Sequence, residues 1–309
     1  MIRLTKIFPA VVFLITACGG EQHAETEEAA SHSGNRMVVA SNYPLYFFAN
    51  RITENVDGAP DIILPEIDGD PAFWVPDVGQ IQSLQSADLV LLNGAGAESW
   101  LDLITLDQHR LVDTSVGISD RLIPLTNEVQ HQHGPEGDHS HQGTAFTTWL
   151  DPRLAIAQAQ SITDSLIDIA PAIESELRSN MKVLEQDLLE LDNELAGVFA
   201  QLDSRPVLFS HPVYQYLQQR YSINGESVHW EPDEEPGTSA WIELQQILAR
   251  HPARVMLWEA EPLERPGARL LEAGIKSVTF APVANRPQEG DFLSVMQANA
   301  DRLESIIQK

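Results

Sequence analysis

Pro171-Ala-Ile173-Glu-Ser-Glu-Leu177-Arg-Ser-Asn-Met181-Lys-Val-Leu184-Glu-Gln-Asp-Leu188-Leu-Glu-Leu191-Asp-Asn-Glu-Leu195-Ala-Gly-Val198 sets the architecture of the chain. Its apolar residues Ile173, Leu177, Met181, Leu184, Leu188, Leu191, Leu195 and Val198 follow at steps of four, four, three, four, three, four and three. That spacing is one unbroken helical stripe. Pro171 stands where a first-turn proline is tolerated. A stripe of this length either pairs with another chain as a coiled coil or runs as a rigid spine beside two bodies of its own chain. The flanks favour the spine.

On the N-terminal side, a β-branched run over Met37–Leu45 that breaks at Pro44, and short apolar runs at Asp61–Leu64, Ala87–Leu92 and Leu111–Val112, alternate with helix-compatible segments at Tyr46–Val56 and Pro76–Gln85. On the C-terminal side the rhythm returns. Strand-like runs at Pro206–Ser210, Glu226–Trp230, Arg254–Trp258 and Lys276–Phe280 are separated by helical stretches at Val213–Tyr221, Ser239–Arg250 and Arg265–Glu272. Apolar runs alternating with helices point to parallel sheets with covering helices. The expected fold class is therefore α/β, with two similar α/β lobes bridged by one long helix. The N-terminal lobe is expected over 37–170, the linking helix over 171–201 and the C-terminal lobe over 202–309.

Residues 1–18 carry Arg3 and Lys6, then an apolar run of about ten residues, too short to span a bilayer. They end in Ile15-Thr16-Ala17-Cys18, which resembles the bacterial lipobox, and Cys18 is the single cysteine of the 309 residues. An export signal with lipidation at Cys18 is expected, anchoring the protein to a membrane surface without crossing it. Residues 19–36 are small, polar and acidic, and read as a disordered tether. Lys and Arg number 19 against 45 Asp and Glu, a net charge of −26. Such a surface excludes nucleic acid and anionic lipid as partners of the body, because both are bound through basic patches. It is compatible with a cation.

In open α/β sheets ligands bind beyond the carboxyl ends of the strands. Here those ends include Ser41–Pro44, Asn93–Gly96, Ser210–His211, Trp230–Pro236, Trp258–Pro262 and Ala281–Pro282. A cleft between the two lobes is the expected ligand site.

Taken in order, Ser41-Asn-Tyr-Pro-Leu-Tyr46, Ala87-Asp-Leu-Val-Leu-Leu-Asn-Gly94 with Glu98-Ser-Trp100, Trp149-Leu-Asp-Pro152, the spine stripe, and Ser210-His211 with Tyr216 and Arg220-Tyr221 resemble the zinc- and manganese-binding lipoproteins of bacterial ABC metal importers. The resemblance spans nearly the whole mature chain. It implies a C-clamp of two lobes with the metal held between them by three His and one carboxylate, or by two of each. Position by position, the implied ligands fall at Ala72, Thr147, His211 and Ala281. Of these only His211 offers a metal donor of that set, and alanine offers none.

Replacement donors stand on the same loops. Asp70 lies two residues from Ala72, while Glu231 and Glu259 or Glu261 follow strand ends in the lobe of His211. His211, Glu231 and Glu261 are taken as the candidate cleft ligands. A second histidine resource is the tract His131-Gln-His133-Gly-Pro-Glu-Gly-Asp-His139-Ser-His141, just ahead of Thr147. Residues 131–142 read as a flexible loop whose four imidazoles can gather around a divalent ion. His139 or His141 folding in to replace the missing ligand is the more specific form of that expectation.

The leading expectation is an extracytoplasmic solute-binding protein that captures Zn²⁺, with Mn²⁺ or another divalent ion second, and delivers it as a monomer to an ABC permease. Imidazole favours zinc, carboxylate and water favour manganese. Two other readings stay open: a metallochaperone or sensor binding through the His tract, and a metal-free receptor with Phe73, Trp74, Trp149, Trp230 and Trp258 lining an organic-ligand site. No enzyme is expected, since no nucleophile-elbow pattern surrounds Ser210.

Overall fold

A computed structural model describes residues 36–67, 69, 71–125, 129–132, 138–141 and 143–308, with the backbone alone described for 129–132 and 138–141. The signal, Cys18, nearly all of the tether, Asp70 and His133 lie outside the described residues. The N-terminal sheet is built from β1 (Met37–Ala40), β2 (Asp61–Ile63), β3 (Leu89–Leu92) and β4 (Leu111–Asp113), ordered β2-β1-β3-β4. All its pairings are parallel. A short antiparallel ladder of β5 (Val129–Gln132) and β6 (Asp138–His141) follows. The C-terminal sheet contains β7 (Val207–Phe209), β8 (Gly225–Ser227), β9 (Val255–Trp258) and β10 (Lys276–Thr279), ordered β10-β9-β7-β8 and again parallel. Counted within each lobe, both sheets run second–first–third–fourth. The two lobes share one topology.

Both faces of each sheet are covered, which explains the near-continuous apolar runs of the strands. Side chains alternate across a strand. Val38, Ala40, Leu89 and Leu91 join a core on the spine side, whereas Val39, Val90 and Leu92 join an outer core with Trp74, Leu84 and Trp100. In the other lobe Val207, Phe209 and Leu257 face the spine, and Leu208, Met256 and Trp258 pack outward with Trp230 and Trp241.

The long helix, Glu174–Ala200, has 27 residues, about 40 Å at 1.5 Å per residue. Leu177, Met181, Leu184, Leu188, Leu191, Leu195 and Val198 are all buried in a core containing residues of both lobes. Pro171–Ile173 is a separate 3₁₀ turn, so the helix begins at Glu174 rather than Pro171. Glu174 and Glu176 then occupy its first turn, where the positive end of the helix dipole favours them. Pro152–Ile169 and Phe292–Ile307 form two further helices that pack along the spine. Asp151 caps the first by accepting from Arg153 N, and Asp291 forms a reciprocal capping box with Ser294 on the second.

The strand expected at Glu226–Trp230 is registered earlier, at Gly225–Ser227. A Cβ at Gly225 would lie 2.2 Å from Phe209 Cε2, so the neighbouring strands approach closely only because residue 225 is glycine. Beyond the strand, Val228 N donates to Phe209 O (2.9 Å) and Trp230 N to Ser210 O (2.8 Å). These bonds carry the chain alongside the β7 exit up to Glu231.

Candidate metal site between the lobes

His211 follows β7, Glu231 follows the extended β8 segment, and Glu259 directly follows β9. These are three neighbouring parallel strands, and their carboxyl ends bring the three side chains together. Nδ1 of His211 lies 3.4 Å from Glu231 Oε1 and 4.0 Å from Glu259 Oε1. The imidazole is 7 % exposed, while both carboxylates are about a quarter exposed. The His229 ring stands edge-on to it at 5.9 Å, and burial lowers the His229 pKa against the raising influence of Glu243.

Glu261, expected beside His211, is turned elsewhere. Its carboxylate accepts a 2.8 Å hydrogen bond from Thr279 Oγ1 on β10, and Glu259 takes the place near the imidazole. Both acids lie past the last residue of β9, where strand alternation no longer dictates direction.

The three other implied positions hold backbone in place instead. Ala72 is buried in a 3₁₀ turn, and its carbonyl accepts from Ser99 Oγ (3.1 Å). Thr147 Oγ1 donates to the Val213 carbonyl (2.6 Å). Ala281 is clasped by Asn299, whose Oδ1 accepts from Ala281 N (3.0 Å) and whose Nδ2 donates to Ala281 O (2.8 Å).

Between the lobes lies a cavity of about 510 Å³. Phe146, Thr147 and Trp149 contribute from one side, Val213, Glu259 and Ala281 from the other. Trp149 Nε1 donates across it to Pro282 O (2.8 Å), and Asn285 Nδ2 donates to Gly69 O. The lobes are further joined where Tyr216 Oη donates to Ala145 O (2.8 Å) and Tyr43 N to Ala284 O (3.1 Å). Of the aromatics expected to line the cleft, Trp149 does. Trp74 packs on Trp100 (5.3 Å) in the outer core, and Trp230 packs between Trp241 (4.7 Å) and Trp258 (6.1 Å) in the other.

The described parts of the His tract are the backbone of 129–132 and 138–141. Its backbone pairs His131 with His139 and Val129 with His141, and Leu125 N donating to Gly143 O continues the ladder at its base. Among the described residues, no group of three or more His, Cys, Asp or Glu side chains is arranged to hold a metal ion.

A second cavity, about 340 Å³, lies at the amino-terminal ends of β7, β9 and β10, lined by Arg205, Arg254 and Lys276 among others. Arg205 is engaged there by the carbonyls of Gln201 and Leu202 and Lys276 by that of Ile306, so both act as helix caps.

The sequence pattern of the family described as "Zinc-uptake complex component A periplasmic" matches residues 38–306. The chain belongs to this family. It is 24 % identical over 310 residues to the high-affinity zinc uptake system protein ZnuA of Bacillus subtilis, covering 96 % of this chain and 95 % of that protein. It is 23 % identical to the manganese-binding lipoprotein MntA of Halalkalibacterium halodurans, over 75 % of this chain and 72 % of that one. The metal-dependent lipoprotein YcdH of B. subtilis superposes with a TM-score of 0.73 at 21 % identity, covering 88 % of this chain and 98 % of that one. The Zn(II)-bound ZnuA-like domain of Streptococcus pneumoniae AdcA gives 0.73 at 21 %, with 89 % and 100 % covered. These structures share the two-lobed fold with its connecting helix. No helix among the described residues is long and apolar enough to cross a membrane.

Proposed function

We propose that the chain is the lipid-anchored, extracytoplasmic solute-binding subunit of an ABC importer, capturing a divalent metal ion, zinc before manganese, and handing it to the permease. It catalyses no reaction. The observation that carries this reading is His211, held beside Glu231 and Glu259 at the exits of three adjacent strands, against the interlobe cavity. One imidazole with one or two carboxylates is a donor set suited to zinc. The ion's remaining positions are filled by groups other than these side chains. Because hydrogen bonds already join the lobes around the cavity, capture proceeds through small loop adjustments rather than lobe closure. His131, His133, His139 and His141 serve as a separate, weaker collector. Cys18→Ser leaves the precursor unprocessed, and the wild-type mature N-terminus carries lipid mass.

Titration of the mature protein with zinc, read by calorimetry, tests this. His211→Ala is expected to weaken the tightest equivalent at least about tenfold, roughly 1.4 kcal/mol. Deletion of 131–142 is expected to remove only weaker equivalents. Loss of all binding on that deletion, with His211→Ala silent, would replace importer capture by the chaperone or sensor reading.

A further inference from the structure

Resting on the cleft as the metal-capture site, we infer that residues 281–287 are a strap closing one side of the interlobe cavity. Arg286, laid over the Tyr46 ring of the other lobe, is the latch that sets how fast the ion enters and leaves.

The strap connects β10 to the helix Phe292–Ile307, and residues 281–285 with Pro287 line the cavity of about 510 Å³. Glu259 lines the same cavity and stands 4.0 Å from His211 Nδ1. The strap therefore borders the space onto which the ion's protein ligands open.

One end of the strap is fixed inside its own lobe. Asn299 of the helix Phe292–Ile307 holds Ala281 through both N and O (3.0 and 2.8 Å). Past that clasp the chain docks on the N-terminal lobe. Pro282 O accepts from Trp149 Nε1 (2.8 Å), Ala284 O accepts from Tyr43 N (3.1 Å), and Asn285 Nδ2 donates to Gly69 O. The Arg286 guanidinium carbon then lies 4.6 Å from the centroid of the Tyr46 ring.

The docking point for Ala284 is a helix start. An α-helix leaves its first N–H groups without partners of its own. In the helix Tyr43–Thr53, Pro44 has no N–H, Leu45 N is served by Asn42 Oδ1 (3.1 Å), and Tyr43 N is served by the strap. Lifting the strap exposes the Tyr43 amide, so strap and helix cap release together.

Val283 marks where the strap turns. Its φ of +61° is a left-handed conformation, strained for a β-branched residue, and it lies between the Ala281 clasp and the docked residues. A return to negative φ relieves that strain and swings 284–287 off the other lobe. Arg286 is exposed, and contacts made by exposed side chains open far more readily than a packed core. A cation over a tyrosine ring at such a site biases the closed state about two- to fivefold.

Hydrogen exchange of the Tyr43 amide, followed by NMR in the metal-free mature protein, reads strap opening. The Leu45 amide, bonded to Asn42 in the same turn, is the internal reference. Stopped-flow binding and release of zinc on the same protein reads the gate. Arg286→Ala is expected to speed Tyr43 exchange, zinc association and zinc dissociation each about two- to fivefold, with Kd kept within about twofold. Tyr46→Leu, which keeps the charge, is expected to do the same, and it stands in for Arg286→Ala should that variant fail to fold. Faster association alone, confined to Arg286→Ala, assigns the effect to a lost positive charge and overturns the latch. Unchanged Tyr43 exchange in both variants overturns the strap and leaves metal capture standing, as does faster exchange with unchanged zinc rates. Zinc that fails to bind wild type overturns the metal-capture reading, and the gating of an ion with it.

Discussion

Thr147 Oγ1 donates a 2.6 Å hydrogen bond to the carbonyl of Val213, joining the two lobes two residues beyond His211. Where the family resemblance implies a ligand, this chain has a buried clasp that fixes the loop carrying its remaining histidine. Thr147→Val keeps the shape and removes the donor. We expect a loss of about 1 kcal/mol in chemical unfolding, the net worth of one hydrogen bond. Zinc affinity should fall with it although Thr147 is no ligand; an unchanged affinity would show that the clasp does not position His211.

Restoring the implied donors is the converse experiment. The triple variant Ala72→His, Thr147→His, Ala281→Asp is expected to bind bare zinc at least about 100-fold more tightly than wild type, roughly 2.7 kcal/mol. Calorimetric titration reads this directly. No gain would mean that these backbones no longer converge on one point.

Asp192, on the spine helix, accepts from Arg153 Nε (2.8 Å), Arg220 Nε and Nη2 (2.8 and 2.6 Å) and Tyr221 Oη (3.1 Å). Burial alone would raise its pKa, but the Arg220 and Arg153 guanidiniums outweigh burial and hold it below the ordinary aspartate value. A depressed folded pKa contributes stability that is present above the unfolded value and lost as pH falls through the folded one. Asp192→Asn should therefore cost about 3 kcal/mol at pH 7, and the gap to wild type should narrow below about pH 4. Urea unfolding at the two pH values measures it.

Glu98 behaves oppositely. Burial pushes its carboxyl up to about 7, even though Ser41 Oγ (2.7 Å), Asn93 N (2.7 Å) and Gly94 N (3.1 Å) all donate to it. A raised folded pKa means that the native state binds the extra proton between the unfolded value and about 7. Stability is thus lost as pH rises through that window. Wild type should be more stable at pH 5.5 than at pH 8 by a margin that Glu98→Gln abolishes, as thermal unfolding at both pH values can establish.

The spine was legible because its stripe is purely apolar, and the two lobes because the same short runs recur on either side. Strand order was not, since second–first–third–fourth depends on crossovers that periodicity does not encode. The helix Pro152–Ile169 escaped notice because its buried face includes Gln158 and Thr163. Gln158 donates to Thr114 Oγ1 (2.8 Å) and accepts from Thr148 Oγ1 (2.9 Å), a polar network invisible to an apolar pattern. One missed signal was present in the sequence: Met256 and Trp258 share strand parity opposite to Leu257, which already turned Trp258 away from the spine side. Beyond strand ends such parity lapses, so Glu259 and Glu261 could be separated only by the structure. His211 stood out because, of the four positions that the family resemblance implies, it alone still carries a donor of that set.

His211 as the anchor of a metal in the interlobe cleft can be observed crystallographically. Crystals of the mature protein grown with zinc, measured at the zinc absorption edge, test it most directly. An anomalous peak is expected about 2.0–2.1 Å from a ring nitrogen of His211, with Glu231 or Glu259 as a second protein ligand. A peak confined to residues 131–141, with nothing at His211, would contradict it.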